Sequence, residues 1–229
     1  MIISVFIIII LIVSAIFHEY AHGWVAYKLG DYTAKDAGRL TLNPLAHLDP
    51  VGSILLPLLL ILSKASFLIG WAKPVPYNPY NLRDQKYGDL KVALGGPATN
   101  FIIAIFFGLL ARIIPLAGEL KHSLATNFLM GNNDFLLSNI QGSLTASIFV
   151  LSVIICFINL LLMVFNLIPL PPLDGSKILL VFLPTRWQMK YHQLEAYGLF
   201  IIILLLWLGV FNFVFPLILL ILNLLIGVF

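Results

Sequence analysis

Charge is scarce in this sequence. Of its 229 residues, 13 are Lys or Arg and 10 are Asp or Glu, so 10% are charged. A soluble domain of this length needs far more polar surface, and the shortage excludes a water-soluble globular fold. Cysteine is scarcer still. The single Cys156 excludes an internal disulfide and, in its apolar run, reads as a small packing residue. No Lys/Arg-rich run is present to grip a phosphate backbone, so no nucleic-acid partner is expected. The net charge of +3 reads instead as membrane orientation. The pattern GxxxxGK[ST] is missing, so Gly95-Gly96 is no phosphate loop. No Lys or Arg precedes the apolar residues 2–13, which run straight on into a polar motif. The N-terminus is therefore expected to be a retained membrane helix, not a cleaved signal peptide.

What is abundant is apolar sequence: 61% of residues are hydrophobic and the mean hydropathy is +1.03. Long Leu/Ile/Phe runs must satisfy their own backbone hydrogen bonds in lipid, which points to helices rather than a barrel. The expected fold is an all-α polytopic integral membrane protein with about five to six transmembrane helices in one membrane-embedded domain. Residues 1–30 form the first helix. Residues 31–89 form a strand or re-entrant region, in which 33–42 can hold a short strand and 51–71 dips into the membrane and returns. Residues 90–115 and 140–183 supply two core helices, separated by a polar loop over 116–139. Residues 193–229 form the C-terminal helices. Lys28, Lys35 and Arg39 follow the first helix, and Lys73, Arg83, Lys86 and Lys91 crowd a later loop. The positive-inside rule puts both loops in the cytosol. The membrane is expected to be the plasma membrane of a prokaryote.

The most informative residues are polar ones in an apolar helix: His18-Glu19-Tyr20-Ala21-His22. Histidines four apart lie one turn apart on the same face. Two such imidazoles can hold zinc, and Glu19 between them can activate a zinc-bound water. A catalytic zinc site needs a third protein ligand. Asp174 is the leading candidate, because Pro169, Pro171 and Pro172 break the helix ahead of it and Gly175 follows. Its plainer use is as a helix N-cap, and it can serve both.

His18–His22, the run Gly96-Pro97-Ala98-Thr99-Asn100, and Asn166-Leu167-Ile168-Pro169 through Leu173-Asp174-Gly175 together resemble the intramembrane site-2 proteases. The resemblance covers roughly residues 5–30, 90–115 and 144–180. It implies that His18, His22 and Asp174 bind one Zn2+ and that Glu19 is the general base. It also implies a site towards the cytosolic side and membrane-protein substrates cut at unwound transmembrane segments. Many members carry a PDZ domain or paired CBS domains; this chain resembles a compact form without them. Residues 33–42 or 67–77 can offer an edge for an extended substrate.

Other polar residues have plainer readings beside the functional one. Asn166 starts the break before Asp174 and can reach substrate, although an Asn in a membrane helix more often joins helices. Asn100, Gly96 and Pro97 read as support for the site. His47 is a loop histidine, more often surface than ligand. Two rival functions remain at this level, a metal transporter and a non-cleaving relative that binds helices. A transporter needs several sites along a path, and no second His/Asp/Glu cluster lies at membrane depth in the sequence. Glu195 is the one obvious glutamate for a different HExxH class, without a matching second motif.

Overall fold

The computed structural model describes residues 2–55, 59, 62 and 72–228. Three helices are long and apolar enough to cross a membrane: α1 (Ile2–Lys28), α3 (Gly88–Ile113) and α6 (Leu144–Asn166). Between the first two lies the short α2 (Thr33–Asp36). Two helices, α4 (Gly118–Leu129) and α5 (Asn133–Ile140), join α3 to α6. After α6 come α7 (Asp174–Leu180), α8 (Thr185–Glu195), α9 (Gly198–Trp207) and α10 (Val214–Ile226). α8 and α9 meet at a 72° bend and together make a possible fourth, broken span. The count among the described residues is thus three, or four with the bent pair, where composition suggested more. The C-terminal apolar sequence is cut into shorter helices at Gly209, which has φ 69°.

α3 is the hub. It packs most extensively on α6 and next on α1, and also receives α7 and α10. Small residues make this possible: Gly95, Gly96, Ala104, Gly108 and Ala111 are all buried. Backbones can approach closely where side chains are small. A Cβ on Gly95 would stand 3.2 Å from the Ala21 carbonyl oxygen, and one on Gly108 would stand 3.1 Å from Cys156 Sγ. Contacts fix the directions. His22 meets Val92 while His18 meets Asn100, so α1 and α3 are antiparallel. Asn100 meets Asn159, and Gly108 lies beside Cys156, so α3 and α6 are antiparallel as well. α1 and α6 therefore run the same way, and both deliver their C-terminal ends to one level.

Two expectations need correction. Residues 33–42 are not a strand, and no strand forms among the described residues. Thr33–Asp36 is a helical turn closed by local bonds, Asp36 N to Tyr32 O at 2.9 Å and Ala37 N to Thr33 O at 3.0 Å. Gly38 then turns the chain at φ 65°. Residues 116–139 are not a polar loop either. Their Leu and Ala residues favour helix, and Leu124 and Leu136 are wholly buried against the core. His122 accordingly sits in α4. The re-entrant expectation for 51–71 falls largely outside the described residues; within them, Pro50–Leu55 forms a short π-helical turn.

Candidate metal centre

α1 carries His18 and His22 on the face turned to α3. His18 is 6% exposed and His22 8%. Each imidazole is held from behind. His22 Nδ1 donates to the Val92 carbonyl at 2.7 Å, and a carbonyl only accepts, so the neutral His22 imidazole has its lone pair on Nε2. His18 Nδ1 lies 2.5 Å from Asn100 Oδ1. Gly96 lets the rings approach α3, because a Cβ there would fall 2.4 Å from His22 Nε2 and 2.5 Å from His18 Nε2. Next to it, Pro97 lacks the N–H that would pair with the Ala93 carbonyl, and it is buried inside α3.

Asp174 arrives from the other side. α6 ends at Asn166, and the Pro-rich residues 167–173 form irregular backbone before α7 begins at Asp174. Gly175 is what lets α7 dock there: a Cβ would stand 2.3 Å from the Leu167 carbonyl oxygen and 2.5 Å from that of Ile168. The start of α7 carries no side-chain capping bond. Asp174 Oδ2 instead lies 3.0 Å from His18 Nε2 and 3.2 Å from His22 Nε2. The two Nε2 atoms are 3.0 Å apart. Three ligand-type atoms thus form a nearly equilateral triangle. Tetrahedral bonds of about 2.0–2.1 Å give edges of roughly 3.3–3.4 Å, so the triangle is slightly tight but of the right size. Lone pairs and a carboxylate oxygen this close repel one another unless a proton or a metal cation lies among them. The residues fit a zinc ion.

Glu19 is half-buried beside this group, and its Oε2 accepts from the Val75 N–H at 2.9 Å. Val75 lies in a strap without regular secondary structure, residues 72–78. Pro74 and Pro76 flank it, so its N–H is the single backbone donor of that tripeptide. A loop clamps the strap. Lys73 N donates to the His47 carbonyl at 2.8 Å, and Arg39 Nη2 donates to the Lys73 carbonyl at 2.8 Å. His47 is buried at 2% exposure, with its Nε2 donating to the Thr41 carbonyl at 2.7 Å. Its place is in the clamp, and it is not among the clustered ligand atoms. Further along, Tyr77 donates to Asp89 Oδ1 at 2.5 Å and lies under Lys177 Nζ, 4.9 Å from the ring centre. Burial, followed by that bond to Asp89, pushes the Tyr77 phenol well above its usual range.

The structure therefore gathers His18, His22 and Asp174, sets Glu19 beside them, and puts Asn100, Gly96 and Pro97 directly behind. Asn166 is different. Its Nδ2 donates within its own helix to Leu162 O at 2.9 Å, and no hydrogen bond among the described residues joins it to the cluster. Sequence reasoning missed Asn159, Ser14 and Val75. Asn159 is wholly buried, accepts from Asn100 Nδ2 at 2.8 Å, and donates to Ser14 Oγ at 3.0 Å. An Asn among the apolar residues of α6 was the available signal. Val75 left none, since only its backbone is used.

Residues 77–209, more than half the chain, match Peptidase family M50. The chain is 39% identical over 200 residues to "Putative zinc metalloprotease YwhC" of Bacillus subtilis, covering 87% of this chain and 79% of that one. It is 26% identical over 206 residues to "Putative zinc metalloprotease Rip2" of Mycolicibacterium smegmatis, covering 89% and 68%. No solved structure matches it significantly. Helical spans and zinc-metalloprotease relatives define the class, an integral membrane metalloprotease. The chain belongs to Peptidase family M50, the site-2 proteases.

Proposed function

We propose that the chain is an intramembrane zinc endopeptidase that hydrolyses peptide bonds within or near transmembrane helices of other proteins. The observation that carries this reading is the convergence of His18 Nε2, His22 Nε2 and Asp174 Oδ2, 3.0–3.2 Å apart, with Glu19 next in sequence to His18. His18, His22 and Asp174 would hold one zinc ion. When bound, zinc supplies Lewis acidity towards a peptide carbonyl and lowers the pKa of a water from 15.7 towards about 7. Glu19 is the general base: it accepts the water's proton and later hands it to the leaving amine. The Val75 N–H holds one Glu19 oxygen and leaves the other for that exchange. A substrate helix hides its carbonyls in its own hydrogen bonds, so it must unwind to be cut. Lys28, Lys35, Arg39 and Lys73 lie at the site's end of the bundle, which supports a cytosolic-facing site in a prokaryotic plasma membrane. A transporter reading would need a chain of sites, and His18, His22 and Asp174 form the one such group among the described residues.

The test is Glu19→Gln, with zinc quantified and cleavage of a membrane-helix substrate measured. Retained zinc with cleavage reduced by about 10²–10⁴-fold supports the assignment. Unchanged cleavage refutes Glu19 as the base. An Asp174→Ala variant with full zinc occupancy refutes the third ligand.

A further inference from the structure

Behind His18 a buried polar chain crosses three helices. His18 Nδ1 faces Asn100 Oδ1 on α3 at 2.5 Å, and Asn100 Nδ2 faces Asn159 Oδ1 on α6 at 2.8 Å. Asn159 Nδ2 faces the Ile155 carbonyl at 2.9 Å and Ser14 Oγ on α1 at 3.0 Å. Asn100 and Asn159 are 0% exposed and Ser14 is 4% exposed. Polar groups this deep must be paired, and a mismatched pair costs about 1–3 kcal/mol.

An amide can present either end, and an imidazole can carry its proton on either nitrogen. One member of this chain has no such choice: the Ile155 carbonyl only accepts. Asn159 must therefore turn its NH₂ to Ile155, which leaves its Oδ1 towards Asn100. Asn100 must then donate its NH₂ to Asn159, which leaves its own Oδ1 towards His18. His18 must donate from Nδ1, so in the neutral imidazole the lone pair sits on Nε2, facing Asp174 and His22. We infer that Asn159 is a positioning residue for the metal centre: through Asn100 it transmits the polarity of the Ile155 carbonyl to His18 and fixes the tautomer that binds metal. His22 reaches the same state in one step, from the Val92 carbonyl at 2.7 Å. Among the described residues the hydrogen-bond partner of His18 Nδ1 is Asn100, not a backbone carbonyl, and two asparagines bridge the gap. Ser14 takes a second bond from the same NH₂ and stands off the relay.

This inference rests on the metal-centre reading above, and the experiment separates the two. Zinc affinity is measured by chelator competition on the full chain in detergent, for wild type, Asn159→Leu and Ser14→Ala. Asn159→Leu keeps the number and branching of the side-chain heavy atoms and removes the acceptor facing Asn100. The relay requires its affinity to fall about 10–100-fold, the usual effect of losing an outer hydrogen-bond partner of a ligand. Ser14→Ala, which leaves Ile155 in place, should stay within about threefold of wild type, under half a tenfold step in free energy. Equal affinity for Asn159→Leu and wild type overturns the relay, as does a Ser14→Ala loss matching that of Asn159→Leu. Wild type that binds no zinc overturns the metal-centre reading instead. A second measurement needs no core variant. Histidine ¹⁵N spectra of the metal-free wild type, assigned against His18→Asn, should show the His18 proton on Nδ1. A proton on Nε2 overturns the relay even if Asn159→Leu fails to fold.

Discussion

Replacing Gly96 with alanine is the most direct challenge to the geometry of the site. The added Cβ would fall 2.4 Å from His22 Nε2 and 2.5 Å from both His18 Cε1 and His18 Nε2. Each ring atom must move by about 0.5 Å or more to reach even 3.0 Å, the shortest separation that real Cβ atoms show. The rings cannot swing away freely, since Asn100 and the Val92 carbonyl hold them from behind at 2.5 and 2.7 Å. α1 cannot simply retreat from α3, because other close contacts along it would open, the neighbouring Gly95–Ala21 approach among them. Metal–ligand distances tolerate only about ±0.2 Å, so a 0.5 Å displacement exceeds what the centre can absorb. We expect zinc affinity to fall by at least about 100-fold, equivalent to roughly 2.7 kcal/mol. Thermal stability should fall by about 1–3 kcal/mol for the overpacked core. Chelator competition reads the first and thermal unfolding in detergent reads the second. Gly95→Ala is the control: its Cβ meets Val25 Cγ2 at 3.0 Å and the Ala21 carbonyl oxygen at 3.2 Å, and no ring atom among its three nearest contacts. It should lose stability with far less effect on zinc. A Gly96→Ala protein with wild-type zinc affinity and wild-type cleavage would refute the placement of both rings.

Val75→Pro removes the N–H that holds Glu19, whereas Val75→Ala keeps it. We expect cleavage to drop by about 10–100-fold in the proline variant, the worth of a hydrogen bond to a charged group. Zinc content should be unchanged in both; equal activity of the two variants would remove Val75 from the argument. Gly175→Ala puts a methyl 2.3 Å from the Leu167 carbonyl and should displace Asp174, seen as loss of zinc with α1 and α3 intact. Asp31 supplies a pH test. Burial pushes its carboxyl up, but bonds from Thr33 Oγ1, Asn81 Nδ2, and the Asn78 and Thr33 N–H groups outweigh this and hold it below the usual range. A carboxyl lowered in the folded state stabilises fully above its unfolded value near 3.9 and loses that contribution as pH falls through the folded value. Unfolding curves should therefore show wild type losing part of its advantage over Asp31→Asn below about pH 4. A difference constant from pH 6 to pH 3 would contradict this.

The sequence disclosed most where a residue type was out of place. His18, Glu19 and His22 stood out because α1 is otherwise apolar, and their spacing placed the two rings on one face. Asp174 stood out because prolines broke α6 before it. What it did not disclose was backbone chemistry. Val92 and Ile155 act through carbonyls, and Val75 through an N–H, which any residue but proline supplies in the last case. The misread stretches have a similar cause. Residues 33–42 read as a strand and 116–139 as a loop; the first is turned by local backbone bonds, and the helices of the second are decided by buried leucines such as Leu124 and Leu136. Asn166 bonds within its own helix, the commoner use of an Asn in a membrane helix.

The burial of the three spans explains why so much of the site depends on polar anchors. Over its most apolar stretch α1 is 28% buried, against 44% for α3 and 61% for α6. The helix that carries both histidines is thus the least enclosed of the three. In lipid its exposed apolar face gains nothing by turning towards protein, because hydrocarbon is as apolar as leucine. Hydrophobic burial therefore cannot fix the rotation of α1 about its axis, and an error of rotation would swing both rings off the centre. Two specific contacts fix it instead, His22 to Val92 and His18 to Asn100. Both are hydrogen bonds whose geometry is lost within a fraction of an ångström. They span His18 to His22, just over one turn. The lipid-facing side chains of its N-terminal half take no part in that pinning, so substitutions among Val5, Phe6, Ile8 and Ile9, all exposed, should leave zinc affinity untouched.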